Sequence, residues 1–175
     1  TTNSKKLFLR AKSLKNLGYG KKNKFQHELV GFNYRLPNIS AAIGLAQLEN
    51  INSIYKEKKR IYLRYKNNLK DIQGLYVPKI ESWTSKYIMW VFNVYLDNSF
   101  KLSRDVLVKK LAERKIETRN AFVPINKQKT ILKIFKSIKP NDCPNANYIM
   151  KNGFYLPSGN TITNKEIDFI CNTIK

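Results

Sequence analysis

Asn33, Tyr34 and Arg35 stand together in the stretch GFNYRLPN, directly ahead of a segment with helical spacing. Backbone N–H groups at a helix start lack intrahelical partners, and the helix dipole adds partial positive charge there. Such a terminus attracts anions. An Asn amide donates without adding charge, and an Arg fork grips a phosphate with two parallel hydrogen bonds. The chemistry these residue types suggest is a phosphate grip. The competing reading is a surface loop with a partly buried Tyr and an Arg paired to a carboxylate.

Other reactive types are sparse. His27 is the single histidine, so no multi-histidine metal site can be built within the chain, and no metal is expected. Arg119 ends a strand-like run and precedes an aromatic stretch; it can hold a carboxylate or a phosphate, or sit in a buried ion pair. Cys143 precedes a short helix but has no His or second Cys beside it, so it reads as structural. Trp90 and Phe92 read as core, and Lys5 and Lys6, at a helix start, as solvated surface.

These residues need elements to hold them. Ser4 is placed to cap a helix over KKLFLRAKSLKNLG, with Gly18 as its stop. GYGKKNKFQHELVG reads as a long irregular loop, a kind that is usually functional or mobile in compact domains. Pro37 and Asn38 open the next helix, whose apolar residues recur from Ile39 to Tyr55. Its first part, AAIGLAQ, is rich in small residues that let another backbone come close, so burial is expected. The pattern runs on to Asp71, which makes a single helix of about 50 Å that bridges two bodies. Gly74 marks the expected domain boundary.

Beyond it, LYVPKI and YIMWVFNVYLD are strand-like, Ser103 caps RDVLVKKLAERK, and IETRNAFVP is a strand. CPNANYIMKNG is a short helix with Pro144 in its first turn, FYLPSG a short strand, and Thr163 with Glu166 a capping box. Alternating strands and helices make residues 75–175 an α/β or α+β module.

The bulk properties narrow the class. A chain of 175 residues with 42% hydrophobic and 12% aromatic content can build a real core. No run of about 18 apolar residues occurs, so no membrane span or membrane partner is expected. Thr1 to Arg10 has no apolar stretch of the secretory type, and two cysteines are too few for a disulfide framework. The cysteine count points to a reducing cytoplasm. The charge of +21, from 33 Lys+Arg against 12 Asp+Glu, raises a nucleic-acid-binding module as a rival. The excess is mostly Lys, spread from Lys5 to Lys175 among many Asn and Ile residues that share A/T-rich codons, so a solvated lysine-rich surface is the better reading.

HELVGFNYRLPNISAAIGLAQLENI resembles the signature of the DegT/DnrJ-type sugar aminotransferases, the pyridoxal-phosphate enzymes that aminate nucleotide-linked keto-sugars. The match lies at His27, at Gly31 to Leu36 and at Ala41 to Leu48. WVFNVYLD, LAERKIETRNAFVPI and NGFYLPSGNTITNKEIDFICNTI are similar to three later motifs of the family, in the same order, and the LPSG turn leans towards its perosamine-synthase-like branch.

The resemblance implies the C-terminal part of a pyridoxal 5'-phosphate-dependent transferase of the aspartate aminotransferase-like α/β fold. Residues 1–74 would close the large cofactor domain and carry the long bridging helix; residues 75–175 would form the small α/β domain. Asn33 would reach the cofactor phosphate of the other subunit of a homodimer. Arg35 would face cofactor or sugar nucleotide, or form a structural ion pair. His27 would bond substrate or shape the interface. Arg119 would hold the carboxylate of the amino donor or a substrate phosphate. Where the family often has His after Pro-Leu, Asn126 stands here, which bears on the choice of sugar.

The implied reaction is transfer of an amino group, from a donor such as glutamate, to a nucleotide-linked keto-sugar in polysaccharide (O-antigen type) biosynthesis. The Schiff-base lysine belongs upstream of TTNSKKLFLRAKSL in the family, so no catalytic residue is expected in the chain and the chain alone is expected to be inactive. A dehydratase of the same family, with His in place of that lysine, is the nearest alternative.

Overall fold

The computed structural model describes residues 1–20 and 25–175. The chain forms two compact units, Thr1–Ile51 and Asn52–Lys175.

The first unit holds α1 (Lys5–Lys15) and α2 (Asn38–Glu49). Ser4 caps α1 as its residue type predicts, its hydroxyl accepting from the Leu7 N–H at 3.4 Å. The chain then turns back with Leu17 and Gly18 both at positive φ (65° and 66°), and Gly18 N–H returns to Ser13 O. Part of the expected loop, residues 21–24, lies outside the described residues. On either side of it the chain pairs antiparallel with itself, Tyr19 opposite His27 and Asn16 opposite Asn33.

Pro37 stands just before α2 in an extended conformation, as expected of a residue that fixes φ and has no N–H to offer. Contrary to expectation, α2 buries none of its residues: Ile39, Ile43, Leu45 and Leu48 are all exposed. The reason lies in its pattern. Apolar residues surround the helix with no polar face, a design that needs neighbours on every side, and no element among the described residues buries it.

The single helix expected from Asn38 to Asp71 is two helices. α2 ends at Glu49 and α3 runs Ile51–Leu69. Asn50 interrupts them because its side-chain amide bonds back to Ala46 O at 2.9 Å, satisfying a carbonyl that a continuing helix would have claimed.

The second unit takes in α3 from its second residue, Asn52, followed by β1 (Leu75–Tyr76), β2 (Phe92–Leu96), α4 (Arg104–Glu113) and β3 (Arg119–Asn120). A single 3₁₀ turn (Ile125–Lys127) and α5 (Lys129–Ile134) lead to α6 (Pro144–Asn152), β4 (Gly153–Leu156) and α7 (Asn164–Ile174). The strands form one antiparallel sheet in the order β1-β2-β4-β3. β2 alternates as a half-buried strand must, with Phe92, Val94 and Leu96 inward.

Ile61, Tyr62, Tyr65 and Leu69 of α3 pack into the same core as Leu107 and Leu111 of α4 and Ile167, Ile170, Cys171 and Ile174 of α7. That shared core puts α3 with the sheet, in the compact unit that starts at Asn52. Gly74 makes the turn into β1 at φ +75°, where an added Cβ would lie 2.2 Å from the Phe100 nitrogen.

Polar ties lock α3 to α7. The Arg64 guanidinium forks onto Asp168, its Nε donating at 2.8 Å, and Asn68 donates to the same carboxylate at 2.9 Å. Arg64 and Asn68 together hold the Asp168 carboxyl below the usual carboxylate range. The Thr163–Glu166 capping box is present in full. Ser103 occupies its expected place before α4 but makes no side-chain cap bond.

Phe92 is fully buried as expected. Trp90 is not core: it is 69% exposed, because the chain joins the sheet only at Phe92. The strand expected over IETRNAFVP pairs only at Arg119 and Asn120, on the sheet edge.

Candidate functional site

The phosphate-grip residues sit on a strap, residues 25–35, tied along the end of α1. Phe32 N–H donates to Leu14 O (2.6 Å), Leu17 N–H to Phe32 O (3.0 Å) and Tyr34 N–H to Lys15 O (2.9 Å). The strap can lie this close because glycine meets glycine. A Cβ on Gly31 would fall 2.3 Å from the Gly18 nitrogen, and one on Gly18 2.2 Å from Leu29 O. Phe32 and Tyr34 stack in parallel (5.1 Å between centroids, 5° between planes) across a groove of about 740 Å³ that Phe8, Ala11 and Leu14 complete.

Within this frame Arg35 Nε donates to Asn33 Oδ1 at 3.1 Å. That bond sets the amide: with Oδ1 occupied by a donor, the Nδ2 N–H groups are the ones left to point at a ligand. Among the described residues Asn33 Nδ2 has no partner, and Arg35 has no carboxylate within ion-pair distance. The structure therefore brings Asn33 and Arg35 together as an exposed donor pair. A free amide N–H and an unpaired guanidinium suit a phosphate, so the donor set fits the phosphate end of pyridoxal phosphate.

His27 lies on the same strap. Its Nδ1 is 2.7 Å from Leu17 O, and a carbonyl only accepts, so Nδ1 carries the proton and Nε2 is left as an acceptor in the neutral ring. The ring packs 4.9 Å from Tyr19. Backbone and neighbour fix its tautomer and orientation.

Arg119 belongs to the second unit. It is exposed on β3, forms no ion pair among the described residues, and lines a groove of about 400 Å³ with Lys58, Trp90, Glu117 and Tyr155. Asn126, at the position where the resembled family often has His, is buried; its amide donates to Pro140 O (2.8 Å) and Asn147 Oδ1 (3.2 Å), a structural use. Sequence reasoning missed Lys58, which looks like one lysine among many in YKEKKR. Its signal is three-dimensional: Nζ donates to Ser158 O (2.7 Å) and Trp90 O (3.2 Å).

Cys171 is buried, and burial pushes its thiol up to about 11; Cys143 is exposed. Among the described residues no three His, Cys, Asp or Glu are grouped to hold a metal, and no helix is long and apolar enough to cross a membrane.

The model of the DegT/DnrJ/EryC1/StrS aminotransferase family matches residues 1–175. The chain is 33% identical over 163 residues to GDP-perosamine synthase of Vibrio cholerae, covering 93% of the chain and 43% of that protein. It is 31% identical over 173 residues to GDP-perosamine synthase of Escherichia coli O157:H7, covering 99% and 45%. The fold matches E. coli GDP-4-keto-6-deoxy-D-mannose-3-dehydratase with bound hydrated PLP, with a TM-score of 0.84 at 23% identity over 100% of this chain and 49% of that one. The chain thus spans somewhat less than half the length of these curated relatives.

Proposed function

The chain belongs to the DegT/DnrJ/EryC1/StrS aminotransferase family, and on that premise we propose that it is the C-terminal part of a pyridoxal-phosphate-dependent nucleotide-sugar aminotransferase. The intact enzyme moves an amino group, with glutamate as donor, to a nucleotide-linked keto-sugar, as a perosamine-synthase-like enzyme of polysaccharide biosynthesis. The observation that carries this reading is the Arg35–Asn33 bond, which leaves an amide donor unpaired on a braced strap.

Asn33 holds the cofactor phosphate of the partner subunit in a homodimer. Arg35 keeps that amide turned and adds positive charge beside the phosphate or the sugar nucleotide. His27 offers Nε2 to a substrate hydroxyl at the same strap. Arg119 holds an anionic group of substrate. The bound cofactor supplies the electron sink for amino transfer. The Schiff-base lysine lies outside the 175 residues, so the chain by itself is inactive. Unit one is the chain's share of the large domain, and the exposed α2 is covered there by that domain and the partner subunit. The setting is the cytoplasm.

A dehydratase of the same family, with His in place of the lysine, is the second reading; the fold is common to both activities. One experiment separates them. The intact protein is incubated with pyridoxal phosphate, glutamate and a GDP-linked 4-keto-6-deoxy sugar, and the products are weighed by mass spectrometry. An amino sugar supports the aminotransferase; loss of an oxygen without gain of nitrogen supports the dehydratase; unchanged substrate, with dTDP- and UDP-linked keto-sugars also unchanged, refutes both.

A further inference from the structure

A cation at a helix start opposes the helix dipole, yet Arg104 opens α4. Its side chain leaves that terminus and reaches the closing turn of α6, where Nε donates to Lys151 O at 3.1 Å. That carbonyl is among the last four of α6, which have no partner inside the helix, and a guanidinium suits that negative end. Nη1 donates to Asn120 Oδ1 at 2.6 Å. The Arg104 side chain is 18% exposed; the Asp105 carboxylate, 3.1 Å from its Nε, is 81% exposed. A pair so solvated on its acidic side adds little and does not account for the placement of Arg104.

Asn120 is one of the two residues of β3. The strand pairs with β4 at Arg119 and Asn120, and its other side is the edge of the sheet. Among the described residues, the Arg104 bond is the one side-chain hydrogen bond that reaches it. Neighbours on a strand face opposite ways. Asn120 lines a groove of about 640 Å³ together with Arg104, and Arg119 lines the groove of about 400 Å³ beside Trp90 and Tyr155. A hold on Asn120 therefore sets the turn of the strand about its own axis, and with it the direction of Arg119 on the other side. Arg119 has no ion-pair partner of its own among the described residues, so its strand is what aims it.

We propose that Arg104 is a positioning residue: through Asn120 it fixes the edge strand that carries Arg119, and so aims the Arg119 guanidinium at the anionic group of substrate. The proposal rests on the reading of Arg119 above as a residue that holds such a group. One guanidinium thereby joins the start of α4, the end of α6 and β3, and its effect on the reaction passes through Asn120 rather than through contact with substrate.

The test measures KM for glutamate and for a GDP-linked 4-keto-6-deoxy sugar on the intact, cofactor-loaded protein, with amide hydrogen exchange read at Ala121, whose N–H donates to Gly153 O at 3.2 Å. Arg119→Gln should raise KM for one of the two substrates about tenfold, the loss of one charge-assisted bond. Asn120→Ala should raise KM for that same substrate by about fivefold, since Arg119 is present but less well aimed, and should quicken exchange at Ala121. Arg104→Gln should act in the same direction. Asn120→Asp keeps an acceptor for Nη1 and should stay within about twofold of wild type. In a protein that already carries Arg119→Gln, Asn120→Ala should raise KM no further. Asn120 is exposed, so its variants test the tie even if Arg104→Gln fails to fold.

Unchanged exchange at Ala121 in Asn120→Ala overturns the tie, whatever the activity. Additive KM losses in the double variant overturn the positioning role, because a structural defect would add to the loss of Arg119 and misaiming would not. A loss in Asn120→Asp equal to that in Asn120→Ala overturns it as well, as does wild-type KM in Asn120→Ala when Arg119→Gln is impaired. Wild-type KM for both substrates in Arg119→Gln is a separate failure: it sinks the reading of Arg119 and leaves Arg104 nothing to position. Absence of turnover in the wild type refutes both.

Discussion

Replacing Asn33 in the intact enzyme tests the strap most directly. On the proposed role, Asn33→Ala deletes the amide and with it the hydrogen bond it would donate to the cofactor phosphate. A bond to a charged group contributes about 1.5–3 kcal/mol, so cofactor affinity should fall roughly 10- to 150-fold. Asn33→Asp should be worse, because it sets a carboxylate against the phosphate. Arg35 complicates the second variant in an informative way. Its Nε already donates to Oδ1 at 3.1 Å, so it would pair with the new carboxylate and soften the repulsion.

The order expected for affinity is therefore wild type, Asn33→Ala, Asn33→Asp, with Arg35→Ala combined with Asn33→Asp weakest of all. If Arg35 works by turning the Asn33 amide, the losses from Asn33→Ala and Arg35→Ala are not additive, with a coupling of about 0.5 kcal/mol or more. Equilibrium dialysis of cofactor against each variant gives the numbers. A lysine-less subunit that keeps Asn33 should restore one active site in a mixed dimer with Asn33→Ala. Wild-type affinity in both Asn33 variants, or no complementation in any mixed dimer, would refute the trans-phosphate role.

Three further outcomes concern stability and reactivity. Tyr65→Phe removes the hydroxyl that donates to Pro157 O at 2.8 Å and should cost about 1–2 kcal/mol in urea unfolding, with no cost meaning that water already serves that carbonyl. A thiol reagent at mildly alkaline pH should modify Cys143 at once and Cys171 only after unfolding, since burial raises the Cys171 thiol to about 11; two fast thiols in the native protein would contradict the packing of α7. Arg64 and Asn68 depress the Asp168 carboxyl, so its contribution is present above the ordinary Asp value and is lost as pH falls through the depressed one. Asp168→Asn should flatten the acid limb of a stability–pH profile, and an unchanged limb would show the pair to be idle.

What the sequence made legible was local. Ser4, Pro144 and the Thr163–Glu166 box sit where their own chemistry places them, within a turn of the helix they start. Asn33 and Arg35 stand out in the sequence by type and order. Their mutual bond does not, because a contact two residues apart depends on how the strap is held, and that is set by the distant Gly18–Gly31 crossing.

The helix break at Asn50 was hidden because Asn is tolerated in helices; only its bond to Ala46 O decides. Trp90 was misread for a related reason. It shares parity with Phe92, Val94 and Leu96, and nothing in the string says that pairing begins two residues later. The buried face of α3, Ile61, Tyr62, Tyr65 and Leu69, joins a core built mostly from residues after Gly74, a long-range contact that helical periodicity does not announce.

The all-round apolar α2 has a colloidal consequence. On the chain alone it is a sticky rod carried by a body with a formal charge of +21. At low ionic strength that charge holds copies apart; at about 0.15 M salt the screening length shrinks to about 8 Å, close to the size of the helix itself. Beyond that point contact between rods is opposed only weakly. Light scattering from the 175-residue chain should therefore rise with added salt, the reverse of what attraction between opposite charges would give, and substituting Ile39, Ile43 and Leu48 with Gln should abolish the rise.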